Sequence, residues 1–96
     1  MSEGSRSFEM SISRQDFLRL LPGAVGGAPF EETGDLLIHT EEERNWHIAL
    51  NPLPVLHLGT LQLERHGVEW RFSGYTEAEI NALVLRFERH FRRGGG

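Results

Sequence analysis

Thr76-Glu77-Ala78-Glu79-Ile80-Asn81-Ala82-Leu83-Val84-Leu85-Arg86-Phe87-Glu88-Arg89-His90-Phe91-Arg92-Arg93 is the one stretch in which a start signal, a periodicity and a stop agree. Thr76 followed by Glu79 is a capping box, in which hydroxyl and carboxylate satisfy backbone N–H groups that a helix start leaves unpaired. Such a cap is worth about 1 kcal/mol. Ile80, Leu83, Val84, Phe87 and Phe91 then fall on one stripe of a 3.6-residue period, with Glu77, Asn81, Arg89 and Arg92 on other faces. An isolated helix of this length is marginal in water, so its stripe needs an apolar floor that the upstream chain must supply.

Upstream, Phe8, Met10 and Ile12 alternate with Glu9 and Ser11, the period of a half-buried strand. Ser13, with Asp16 three residues on, caps a short helix with the apolar face Phe17, Leu20 and Leu21, and Pro22-Gly23 ends it. A glycine-rich connector follows to Pro29. Phe30 to Thr40 reads as an extended segment interrupted near Gly34, and Glu41-Glu42-Glu43-Arg44 as a turn. Trp46, Ile48 and Leu50 form a strand broken by Asn51-Pro52-Leu53-Pro54. Leu56, Leu58, Leu61 and Leu63 form another, whose change of parity implies a bulge at Gly59. His66-Gly67 is a two-residue turn into a last strand through Val68, Trp70 and Phe72.

The predicted order is β-α-β-β-β-β-α. Short connectors make the strands an antiparallel meander, and one apolar face per strand puts both helices on one side. The expectation is a two-layer α+β domain over residues 7–93, with a disordered N-terminus at 1–6 and a flexible Gly tail at 94–96. Trp46 and Trp70 sit on the apolar phase and belong to the core. This element order resembles the TBP-like and helix-grip folds, over nearly the whole chain and by topology rather than by motif. Those folds host nucleic-acid binders, lipid carriers and enzymes alike, so the resemblance implies an architecture and not an activity.

Ninety-six residues, 39% hydrophobic and 25% charged, provide for one modest core. The absence of cysteine excludes disulfides, thiolate metal ligands and thiol catalysis. No apolar run approaches the ~18 residues of a membrane span, and no signal peptide is evident, so a soluble cytoplasmic protein is expected. A net charge of −4 argues against a general nucleic-acid binder. Residues 1–60 hold nine acidic and four basic groups and 61–96 five and six, which leaves the front negative and the end slightly positive. All ten basic residues are Arg, the usage of a high-GC bacterial genome.

Three kinds of candidate site emerge. Pairing Ile38 with Ile48 places His39 opposite His47, and pairing Leu50 with Leu56 brings His57 diagonal to His47, so that three imidazoles share the outer sheet face as a candidate zinc site. Arg86, Arg89, His90, Arg92 and Arg93 cluster at a helix C-terminus, where they complement its dipole and offer a charged docking end. Leu37, Leu53, Val55 and Leu85 fit neither the sheet floor nor the helix stripe, and if clustered they form an apolar contact patch. There is no nucleophile elbow, no phosphate-binding glycine motif and no marked carboxylate. No cofactor or catalysis is expected. The leading expectation is a non-enzymatic interaction module whose partner is another protein. Its alternatives are a carrier of a small apolar ligand between sheet and helices and the histidine metal site.

Overall fold

The computed structural model describes residues 3–94, with side chains through Arg92. The chain folds as β1 (Glu3–Met10), α1 (Arg14–Ala24), β2 (Glu31–Thr33), β3 (Leu36–Thr40), β4 (Asn45–Leu58), β5 (Leu61–Ser73) and α2 (Glu77–Gly94). The fold is α+β, as expected: one antiparallel five-stranded sheet in the order β1-β5-β4-β3-β2. Helix α1 carries the chain from one sheet edge to the other. Both helices cover the same face, because Phe17 of α1 stacks on Phe91 of α2 while Phe87 of α2 meets Phe8 and Trp70 of the sheet. Among the described residues, no helix is long and apolar enough to cross a membrane.

The deciding helix forms as its sequence dictates. Thr76 N donates to Glu79 Oε1 at 2.8 Å and Glu79 N to Thr76 Oγ1 at 3.2 Å, which completes the capping box. Ile80, Val84, Phe87 and Phe91 are buried against a floor of Leu37, Trp46, Ile48, Leu50, Val68, Trp70 and Phe72. Phe87 is the hub: its ring centroid lies 4.6 Å from Phe91, 5.0 Å from Trp70, 5.3 Å from Phe8 and 6.2 Å from Phe17. Helix α1 starts at Ser13, whose hydroxyl accepts from Asp16 N. It runs past Pro22, where the sequence predicts its end, because Ala24 continues the buried stripe of Phe17 and Leu21. Gly26, at φ 68°, then closes it: Gly27 N donates to Pro22 O and Gly26 N to Gly23 O, a Schellman termination that a residue with a Cβ would strain.

The number of strands matches expectation, but their boundaries do not. Gly34-Asp35 separates β2 from β3, where the sequence suggests only an interruption. Asn51-Pro52-Leu53-Pro54 does not break β4, which runs unbroken for 14 residues. Gly59-Thr60 is the β4–β5 turn, with Gly59 at φ 62°, and His66-Gly67 is ordinary strand. The bulge lies at Pro54-Val55, which stand opposite the single residue Glu64, between the pairs Leu53↔Arg65 and Leu56↔Leu63. At the N-terminus, β1 begins at Glu3, within the segment expected to be disordered. Glu3 pairs with Ser73, and Arg6 donates to Glu77 at 2.9 Å and Asn81 at 3.1 Å on α2. Its first five residues carry no apolar side chain, so hydrophobic alternation could not reveal them. Helix α2 includes Gly94, the first residue of the expected tail; Met1, Ser2, Gly95 and Gly96 lie outside the described residues.

Candidate functional site

The β4–β5 hairpin outruns the rest of the sheet. On one side β3 begins at Leu36, opposite Ala49; on the other β1 ends at Met10, opposite His66. From Asn51 to Arg65 the two strands therefore pair, among the described residues, only with each other, as an arm with both edges free. The arm contributes to a molecule that measures 48 × 26 × 20 Å.

The bulge decides what the arm displays. Before it, Trp46, Ile48 and Leu50 point to the helices, and by alternation Leu56 and Leu58 would follow them. One extra residue in β4 inverts that parity, so Leu56 pairs with Leu63 and Leu58 with Leu61 on the face of odd-numbered β5 residues, the face away from the helices. Leu53 lies on the same face, 3.7 Å from where a Cβ of Gly67 would stand. Leu53, Leu56, Leu58, Leu61 and Leu63 thus form one apolar strip, half-buried at Leu53 and Leu63 and, among the described residues, uncovered at Leu56, Leu58 and Leu61. Leu56, Leu58 and Leu61 are 39%, 54% and 61% exposed, and Val55 at the bulge is 43% exposed. Two strands alone are marginal in water, and large apolar groups concentrated on an exposed face mark contact surfaces. Leu56, Leu58, Leu61 and Leu63 are legible in the sequence as one strand but not as a contact face, although thirteen residues from Asn51 to Leu63 without a charged side chain carry that signal.

The histidines do not converge. The four-residue turn Glu41–Arg44 closes Thr40↔Asn45, so Ile38 faces His47 and His39 faces Trp46, one residue away from the predicted register. That shift turns His39 inward: it is 6% exposed, stacks on Trp46 at 5.2 Å, and places Nδ1 2.5 Å from Pro29 O and Nε2 3.2 Å from Glu41 Oε2. His47 faces outward and half-buried between Ile38 and Arg71, while His57 lies on the arm opposite Gln62. Ten residues of one strand, roughly 30 Å, separate His47 from His57, too far to share an ion. Among the described residues, no three His, Cys, Asp or Glu side chains are grouped to hold a metal.

The other candidates also separate. Leu37 is not a surface residue; the same register shift makes it core, at 0% exposure. Leu53 and Val55 belong to the arm, whereas Leu85 is exposed on α2 beside Gly23, Arg86 and Arg89. At that helix end Arg86 Nε donates to Gly23 O at 3.4 Å, and the His90 ring fills the space above Gly23, so both side chains hold the end of α1. Arg89 and Arg92 are exposed; the Arg93 side chain lies outside the described residues.

A polar cluster ties the β3–β4 turn to the start of α2. Tyr75 OH donates to Glu41 Oε2 at 2.9 Å, and Arg44 bridges Glu41 and Glu79. The Tyr75 hydroxyl first, with His39 and Arg44 after it, holds the Glu41 carboxyl below its ordinary value against an opposing effect of burial. Burial, then Glu41, pushes the Tyr75 hydroxyl up. These groups satisfy one another and clasp the β3–β4 turn to the start of α2. Beside β1 and α2 runs a groove of about 360 Å³ lined by Phe8, Met10, Ile12, Phe87 and Phe91, but Phe87 and Phe91 are 1% and 5% exposed and offer it little surface. The interior between sheet and helices, where an apolar ligand would lodge, is filled by the aromatic cluster around Phe87. Compared with protein-family models, with curated proteins and with solved structures, the chain matches none.

Proposed function

We propose that this chain is a non-enzymatic binding module that engages a protein partner through the leucine face of its β4–β5 arm. The observation that carries this reading is the bulge at Pro54-Val55, which gathers apolar side chains on an uncovered hairpin. The exposed fractions of Val55, Leu56, Leu58 and Leu61 are equivalent to about two wholly exposed side chains. Covering them is worth ~3–6 kcal/mol from this side alone, and an equally apolar partner doubles that gain to ~6–12 kcal/mol. Association costs ~4–15 kcal/mol, which leaves at most about 8 kcal/mol, so the surface supports reversible binding no tighter than about micromolar rather than a permanent complex. Pro52 and Pro54 lack N–H groups and leave the β4 edge short of donors, which favours contact through the face over addition of a strand.

The test is retention from source lysate on immobilised wild-type, Leu58→Glu/Leu61→Glu and Leu85→Glu proteins. A protein held by the wild type and by Leu85→Glu but lost by the double variant is the expected result. Identical sets on all three would overturn the reading.

A further inference from the structure

We propose that the arm's occupant is a second copy of this chain, with two leucine faces stacked about a two-fold axis into a four-stranded, two-layer hairpin pair. The inference rests on reading the arm as a binding surface and adds the identity of what it binds.

Self-recognition follows from the composition of the strip. The cross-strand pairs Leu56↔Leu63 and Leu58↔Leu61 are leucine on leucine, so a rotated copy presents the same chemistry and shape at every position. Such isologous two-fold contacts are the commonest way soluble chains associate. Asn51 to Leu63 has no charged side chain, and Glu64 and Arg65 at the base of the arm are of opposite sign, so two arms meet without net like-charge repulsion even though each chain carries −4. The arm also lies beyond the pairing of β1 and β3, so the acidic turn Glu41–Glu43, at the opposite end of β4, stays clear of the contact.

Area sets the strength. Strands of about six residues at ~3.3 Å per residue make a face roughly 20 Å long and 10 Å wide. Two such faces bury less than the ~1,200 Å² at which standard specific interfaces begin and far less than the ~2,000 Å² or more of permanent ones, which is the range of weak, transient contacts. The dimer should therefore be reversible and dissociate on dilution.

The experiment is sedimentation equilibrium of the purified chain from 1 to 500 μM. The expected result is a mass that rises from 10.9 kDa toward twice that value, unchanged in 1 M salt because the contact is apolar. Leu58→Glu/Leu61→Glu should remain monomeric, at least about 30-fold weaker in association, with the near-ultraviolet circular dichroism of the wild type. Leu85→Glu should dimerise as the wild type does. A wild type that stays monomeric at 500 μM overturns the inference, as does a dimer that survives in the folded double variant. Either result leaves the binding-module reading to be judged by the lysate comparison, where the double variant alone loses a partner if that reading stands.

Discussion

Replacing Phe87 with alanine removes the ring on which the two layers meet. The side chain is 1% exposed and touches four aromatic rings from β1, β5, α1 and α2 itself, so neighbours drawn from four elements cannot all collapse into the space it leaves. A buried Phe→Ala change costs ~3–5 kcal/mol. At ~0.05–0.15 kcal/mol per residue the whole domain holds roughly 5–14 kcal/mol, so this one ring accounts for a large share of it. At ~4–8 °C per kcal/mol, the melting temperature should fall by about 12–40 °C. Leu85→Ala on the same helix is the control: the residue is 50% exposed, and its loss should stay within ~0.5 kcal/mol. Thermal melts followed by far-ultraviolet circular dichroism and by tryptophan fluorescence measure both. Equal losses for the two variants, or a loss under 1 kcal/mol for Phe87→Ala, would refute the placement of the core.

Gly59→Ala should destabilise by ~1–2 kcal/mol, because Gly59 sits at φ 62° in the arm's turn, while Gly67→Ala should be neutral or gain ~0.5 kcal/mol from extended strand; urea titration showing the reverse order would restore the turn to His66-Gly67. Thr76→Ala should cost about 1 kcal/mol, read as a lower urea midpoint at an unchanged slope, and no change would mean that the capping box contributes nothing. The Glu41 carboxyl titrates lower when folded than its ordinary 4.5, so its contribution is complete above that value and is lost as pH falls through the folded one. Melts between pH 7 and pH 3 should therefore show a shallower acid loss in Glu41→Gln than in the wild type, and parallel curves would remove Glu41 from the clasp.

What the sequence made legible was whatever depends on near neighbours. Thr76, Glu79 and the stripe from Ile80 to Phe91 need only each other to specify α2, and the alternation around Trp46 and Trp70 needs only a sheet beneath a helix. Parity of a strand is a different kind of information. Leu36, Leu37 and Ile38 are all apolar, so either face of β3 could turn inward, and the four-residue turn that follows makes the choice. Gly59 and Gly67 both suit a turn by composition; the pairing of Leu58 with Leu61 assigns it to Gly59. The parity of β3 decides where two of the candidate site residues lie. His39 and Leu37 face inward with β3, and the outward face of Leu56 and Leu58 depends on the bulge at Pro54-Val55, which the composition of Asn51-Pro52-Leu53-Pro54 presents as a break.

The pairing of β1 with β5 has a consequence in time. The four later strands are joined by turns of two to four residues, so each ladder can close as soon as its second strand exists, at little entropic cost. Strand β1 is the first to be synthesised and the last to be matched: its partners run from His66 to Ser73, 56 to 70 residues downstream. Until the chain has been made through Ser73, Phe8 and Met10 have no ladder to join, and until α2 follows, Phe17 has no ring to stack on. The connectivity thus lets the ladders of this domain close from its middle outward during synthesis, and β1 waits longest for its place.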